Sequence, residues 1–248
     1  MIIQVIPTAQ QAQDIDFGGK TAVVIDVLRA TSVITTALDN GAREVLPVAD
    51  IAEAQSLYAQ LDANATLRGG ERNAVKIEGF DLGNSPLEYK RKTVEGKTVI
   101  LTTTNGTQAI QNVKGADAAV LACFRNAAAV AEYLLSLPQC DSPTNGVVIV
   151  CAGTEGRFSL DDGLCAGMLI GLLKQKTEVE TDDLGLLLNH YYNESQANLF
   201  GALSGCYHLK RLFTLGFYDD IRFCLDVNRT KVIPRVSMTN GQIEIMKL

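Results

Sequence analysis

An α/β fold of three layers, with helices on both faces of a mainly parallel or mixed sheet and two related lobes, is predicted by three features of the sequence. First, residues 21–38 (TAVVIDVLRATSVITTAL), 98–113 (TVILTTTNGTQAIQNV) and 146–173 (GVVIVCAGTEGRFSLDDGLCAGMLIGLL) repeat one order: an apolar run, a small or polar loop, then an Ala-rich or amphipathic stretch. Second, the apolar runs 23–25, 99–101 and 147–150 do not alternate with polar residues, as expected of strands covered on both faces. Third, 248 residues at 47% hydrophobic and 20% charged can bury a large core, which excludes a disordered or low-complexity chain.

The remaining elements fit between these units. Residues 2–6 and 44–48 read as short strands, 51–61 as a helix, and 118–121 as a strand leading into a helix over 126–137 with Asn126 as its N-cap. The segment 69–88 (GGERNAVKIEGFDLGNSPLE) reads as a long loop, dense in Gly, Asn and charge, of the kind that is functional or disordered. Residues 136–146 (SLPQCDSPTNG) read as a surface joint, so a lobe boundary is placed near 121–145, with an N-terminal lobe over 1–125 and a C-terminal lobe over 126–248, or one domain over 1–248. Beyond them, 176–183 reads as an exposed connection, 184–203 as helical, and 232–236 with 242–247 as closing strands.

Composition narrows the function. With 28 acidic against 22 basic residues, a net charge of -6 and no basic block, the chain has nothing with which to track a phosphate backbone, so nucleic acid is excluded as a partner. No apolar run reaches the ~20 residues of a membrane helix, and the N-terminus carries no secretory pattern. Cys123, Cys140, Cys151, Cys165, Cys206 and Cys224 lie far apart with no C-x-x-C pair, so neither a zinc site nor a disulfide framework is expected, and a reducing cytoplasm is. An anionic ligand must then be held by a metal or by a few local donors.

In open parallel sheets, ligands sit beyond the carboxyl ends of strands. The three units place polar groups there: Asp26, Arg29 and Thr31; Thr103, Thr104, Asn105, Gly106 and Thr107; and 153–157 followed by Asp161 and Asp162. Asp26 emerges from a strand end, where a carboxylate serves as metal ligand, as nucleophile in phosphoryl transfer, or only as a partner of its own loop amides. A haloacid-dehalogenase phosphatase carries a second Asp two residues on; here that residue is Leu28. The Thr-rich loop suits an anion at a helix start, or equally an unliganded cap. Cys151 and Arg157 have the C-x5-R spacing of cysteine phosphatases, but Val150, Phe158 and Glu155 are wrong for that cradle, and a small buried strand residue is the preferred reading of Cys151. Asp26, Glu71, Glu155, Asp161 and Asp162 are oxygen ligands suited to Mg²⁺. His190 and His208 lie in no ligand pattern and read as core or surface histidines.

Taken together, IDVLRATS (25–32), GGER (69–72), EGFDLGNSP (78–86), TTTNGT (102–107) and CAGTEGRFSLDDGLCAG (151–167) resemble the 2-phosphosulfolactate phosphatase family in order and spacing, strongly over about residues 20–170. The resemblance implies a Mg²⁺-dependent hydrolase that converts (R)-2-phospho-3-sulfolactate to 3-sulfolactate and phosphate, a step toward coenzyme M in methanogens, with members also in bacteria that lack that pathway. It implies Mg²⁺ on Asp26, Glu71, Asp161 and Asp162, with Asp26, Arg29 and Asp162 catalytic. The substrate-binding set is then Arg72, Asn84, Thr103, Thr104, Asn105, Gly106, Thr107, Gly153 and Arg157. Arg29, Arg72, Arg125 and Arg157 fall in or beside the predicted loops and could offset the anion's charge locally. For Asp26, attack on phosphorus and support of an attacking water both stay open; the missing acid at Leu28 favours water. Two other classes stay open as well: a metal-independent phosphatase using Cys151 and a non-catalytic binder of a phosphorylated acid. A homodimer is compatible with an exposed sheet edge or apolar helix face.

Overall fold

The structure, a computed structural model, describes residues 1–138, 142 and 144–248. Cys140 and the middle of the expected joint at 136–146 lie outside the described residues. In chain order come β1 (Ile2–Ile6), β2 (Thr21–Ile25), α1 (Ala30–Asp39), β3 (Glu44–Pro47), α2 (Ile51–Gln60), β4 (Thr66–Arg72), β5 (Val75–Lys76), α3 (Arg91–Val94), β6 (Thr98–Thr102) and α4 (Gly106–Asn112). They are followed by β7 (Ala118–Ala122), α5 (Ala127–Ser136), β8 (Val147–Cys151), α6 (Leu160–Lys174), β9 (Glu180–Thr181), α7 (Asp183–Ser195), α8 (Leu199–Leu203), α9 (Tyr207–Thr214), α10 (Tyr218–Cys224), β10 (Pro234–Thr239) and β11 (Gln242–Lys247).

The fold class is α/β with a large mixed sheet. Among the described residues eleven strands form one sheet, in the order β5-β4-β6-β3-β11-β10-β7-β2-β8-β1-β9. Strands β7, β2, β8, β1 and β9 are mutually parallel, as are β4, β6 and β3. The β10–β11 hairpin lies between these blocks, and its three pairings, to β7, within itself and to β3, are all antiparallel. The two parallel blocks therefore run in opposite senses. Strands from 1–125 and from 126–248 alternate in this sheet: β8 sits between β1 and β2, and the hairpin sits between β3 and β7.

The apolar runs work as their lack of alternation requires. Val23 and Ile25 of β2, with Val120, Ala122, Ile149 and Cys151, pack toward α5, α6 and the C-terminal helices. The intervening Ala22, Val24, Leu121, Val148 and Val150 pack on the other face with Val33, Ile34 and Ala37 of α1 and Ala109 and Ile110 of α4. Every residue of β2, β6 and β8 is buried, which gives the three layers.

Several expected elements change. The 69–88 segment is not all loop: Gly69 and Gly70 continue β4 beside Leu101 and Thr102 of β6. Gly70 sits at φ +151, and a Cβ there would stand 2.2 Å from Thr102 O, so only glycine permits this approach. The expected helix 184–203 is two helices, because the Asn198 side chain accepts from Gly201 N at 2.9 Å and starts α8 afresh. Within 176–183, β9 pairs with β1, and Asp182 caps α7 through Gly185 N (2.8 Å) while accepting from Val5 N (2.9 Å). Asn126 stands at the N-cap of α5 but does not cap it; its amide bonds Cys123 N, Leu121 O and Val232 O, tying β7 to the approach of β10.

Candidate active site

The four residues between β2 and α1 turn the chain so that Asp26 heads the helix. Its Oδ1 accepts from Ala30 N at 3.1 Å, its own N–H donates to Thr31 Oγ1, and Thr31 Oγ1 donates back to Asp26 O at 2.7 Å. This is the loop-amide role that the sequence offered for Asp26, yet the side chain also forms part of the wall of a cavity. That cavity holds about 500 Å³ including its open mouth, and of the expected residues Asp26, Arg29, Glu71, Asn84, Thr103, Thr104 and Asn105 line it. Gly106 stands directly behind Asp26: a Cβ there would lie 2.5 Å from Asp26 Oδ2 and 2.4 Å from Ala30 Cβ. The start of α4 is thus packed against the carboxylate, and residue 106 acts by having no side chain.

Burial pushes Asp26 up to about 6, with His208 and the Ala30 N–H opposing, and Asp161 and Glu71 adding to the rise. Glu71 is fixed: Oε1 accepts from Thr104 N (2.8 Å) and Thr104 Oγ1 (2.9 Å), and Oε2 from Ala74 N (2.7 Å). The Thr-rich loop is also partly self-satisfied, since Thr107 N donates to Thr103 Oγ1 and Thr107 Oγ1 to Thr103 O. Thr103, Thr104 and Asn105 face the cavity, and Thr107 does not.

Asp162 lies behind the wall as a clamp between two strand ends. Oδ1 accepts from Val27 N (2.8 Å) and Oδ2 from Gly153 N (2.9 Å), so the Gly153 amide is occupied too. Asp161 is fully buried, and neither oxygen has a hydrogen-bond partner; its nearest cation is His208 Nδ1 at 3.6 Å, too long for a hydrogen bond and within ion-pair reach. Burial alone would lower His208, but the Asp161 carboxylate overrides this and holds the imidazole above its ordinary range.

The cations differ from the expected set. Arg29 is buried, bonded to Asp220 Oδ2 at 2.6 Å and stacked 4.0 Å over the Phe217 ring, and Ser85 Oγ donates to the other Asp220 oxygen at 2.7 Å. Arg72 turns back to Glu71 O and Thr102 Oγ1 (2.7 and 3.0 Å), Arg125 binds Phe223 O and stacks on that ring, and Arg157 is exposed; none of the three lines the cavity. In their place α9 presents His208, Arg211 and Leu212. Sequence reasoning missed these, although the i, i+3, i+4 spacing of His208, Arg211 and Leu212 puts them on one helical face. Asn84 Oδ1, buried and unbonded in the wall, is a further polar group facing the space.

Cys151 does not face the cavity. It is fully buried in β8, and burial with Asp162 and Asp161 nearby pushes its thiol well above the ordinary range, so it holds no thiolate and the cysteine mechanism is set aside. As for a metal, no group of three His, Cys, Asp or Glu among the described residues stands close enough to hold one. Asp162 spends both oxygens on backbone amides and does not line the cavity, while Asp26 and Glu71 do, Glu71 with its oxygens also accepting from Thr104 and Ala74. Those two carboxylates fit Mg²⁺, which takes one or two from the protein and fills its shell with substrate and water.

A small polar pocket at the carboxyl ends of β2, β4, β6 and β8, walled by carboxylates and guanidinium groups, belongs to an α/β enzyme of small charged substrates. Comparison with known proteins makes the class specific. The sequence profile of 2-phosphosulpholactate phosphatase matches residues 6–239. The chain is 47% identical over 236 residues to a probable 2-phosphosulfolactate phosphatase of Caldanaerobacter subterraneus subsp. tengcongensis, covering 95% of each chain. It is 41% identical over 244 residues to one of Clostridium tetani (98% of this chain, 100% of the relative) and 43% identical over 222 residues to one of Thermotoga petrophila (90% of each). The chain belongs to the 2-phosphosulfolactate phosphatase family and is a phosphoric monoester hydrolase.

Proposed function

We propose that the chain is a Mg²⁺-dependent phosphatase that hydrolyses (R)-2-phospho-3-sulfolactate to 3-sulfolactate and phosphate. The observation that carries this reading is Asp26: a carboxylate at a strand end, raised to about 6, in the wall of a cavity shared with Glu71, Arg29 and His208. Asp26 and Glu71 would hold Mg²⁺, which supplies charge neutralisation for the phosphate and a lowered water pKa when bound. Bare carboxylates repel a phosphate ester, so their presence in the wall argues for a cation between them and against a passive binder of the substrate. The Asn84 and Asn105 side chains offer uncharged polar contacts, and Arg29, pre-aligned by Asp220 and Phe217, binds an oxyanion. Water adds to phosphorus, the ester C–O oxygen leaves, and that oxygen needs a proton; His208 lines the cavity, and the Asp161 carboxylate beside it favours its protonated form. Asp26 supports the water rather than attacking, because Leu28 gives the alternative no companion acid.

Stereochemistry at a phosphorus made chiral with oxygen isotopes tests the route. Direct attack of water inverts the phosphorus; retention, through an acyl phosphate on Asp26 whose P–O bond water then breaks, makes Asp26 the nucleophile, and no phosphate release at all returns the binding-protein reading. A cytoplasmic homodimer completes the proposal, supported by the apolar side chains that α7 and α9 expose: Leu186 (57%), Leu187 (61%) and Phe213 (54%).

A further inference from the structure

Among the described residues only two guanidinium groups line the cavity, and they are held in opposite ways. Arg29 is committed: buried, ion-paired to Asp220 and packed on Phe217, it cannot leave without stranding a buried charge. Arg211 is free to exchange. Its side chain is 26% exposed, and the partner it holds, Glu155 Oε1 at 2.5 Å, belongs to a side chain 46% exposed. Ion pairs this wet are weak, so another anion can replace the glutamate at little cost.

Glu155 is placed deliberately at the mouth. It sits at φ +53 on the tip of a tight turn closed by the Thr154–Arg157 pairing, a backbone state that costs a non-glycine residue energy. Its N–H donates to Asn105 Oδ1 at 3.2 Å, and Tyr207 Oη lies 3.4 Å from its second oxygen. The carboxylate thus bridges the loop after β8 to α9 across the cavity, occupying the place where an anion would meet Arg211. Asp26 and Glu71 line the same cavity and make their part of the wall negative. A substrate with a second anionic group must direct that group away from them, and the exchangeable guanidinium is where it would go.

We infer that Arg211 is the specificity-determining clamp for the anionic group that the substrate carries away from its phosphate, and that Glu155 is the internal carboxylate which that group displaces. The inference rests on the proposed function, in which the distal group is the sulfonate. It also gives the C-terminal helix α9 a purpose in recognition that the strand-end motifs do not supply.

The test compares 2-phospho-3-sulfolactate with 2-phospholactate, which keeps the phosphate and the carboxylate and has a methyl group in place of the sulfonate arm. R211A is expected to raise KM for the sulfonated ester about 30-fold and to affect the unsulfonated one far less, since one charge-assisted contact is removed only where the partner exists. R211K, which keeps the charge and loses the fork, falls between, and E155Q lowers KM for the sulfonated ester about threefold by removing the competitor. Calorimetric titration with 3-sulfolactate and with lactate reads the same discrimination without turnover. If the wild type hydrolyses the sulfonated ester but R211A weakens both compounds equally or neither, the clamp is refuted and the function stands. If the wild type does not hydrolyse it, yet binds 3-sulfolactate and loses that binding in R211A, the substrate assignment fails and the clamp stands; absence of both hydrolysis and binding overturns both.

Discussion

Asp26 shows how one residue joins fold and chemistry. Its carboxylate terminates a fully buried strand and accepts the first amide of α1, so folding removes from water a group whose charged form burial disfavours. The pH consequence follows from the sign of that shift. Between about 6 in the folded chain and the ordinary 3.8, the folded state holds a proton that the unfolded state does not, so stability rises as pH falls through this window, by about 3 kcal/mol in total. In metal-free protein, D26N should be more stable than the parent at pH 7 to 8, should lose this slope in urea titrations, and should retain at most about one part in 10³ of kcat, roughly 4 kcal/mol of barrier. Cys151 is the opposite case, a reactive residue type made inert by its burial. C151S should keep most of the activity in the phosphate-release assay, where loss of more than about 10³-fold with the fold intact would restore the cysteine mechanism.

At the scale of elements, the strand ends carry what sequence spacing could show, and α9 and α10 carry what it could not. Asp26, Thr103, Thr104 and Asn105 were readable because each follows an apolar run, so their position at the sheet's edge is fixed by local pattern, whereas Glu71 sits in a segment that reads as loop and was named from its carboxylate and the GGER motif. Whether an amide there is free is a different matter: Asp162 and Thr107 are spent on partners far away or one turn on, and no local pattern announces that. His208, Arg211 and Asp220 reach the site through tertiary packing of short helices, whose apolar signal is too brief to place them. Asp220 gives the clearest element-level prediction. D220A leaves Arg29 buried without its counter-charge and should cost about 3–5 kcal/mol in urea unfolding, whereas D220N, which keeps one acceptor oxygen for Arg29, should cost less. Equal stability of D220A and the parent would show that α10 does not hold Arg29.

Across the whole molecule, the α/β class and the two-faced burial of the central strands follow from composition and from the unbroken apolar runs. The sheet order does not, because β10 and β11 come last in the chain yet pair in the middle, and antiparallel pairing across so long a separation leaves no local mark. That insertion reverses the sense of β3, β6 and β4 relative to β2, and the cavity is nonetheless built from the ends of both blocks. The net charge of -6 is consistent with this arrangement: an acidic protein can hold a polyanion only where cations are placed one by one.

The proposed function requires that this cavity hydrolyse a phosphate monoester with the help of a divalent cation. Phosphate release from 2-phospho-3-sulfolactate, followed in excess EDTA and again after Mg²⁺ is restored, tests it most directly. Release is expected to stop with the chelator and to return with Mg²⁺; full turnover in EDTA, or no turnover in either condition, overturns the proposed function.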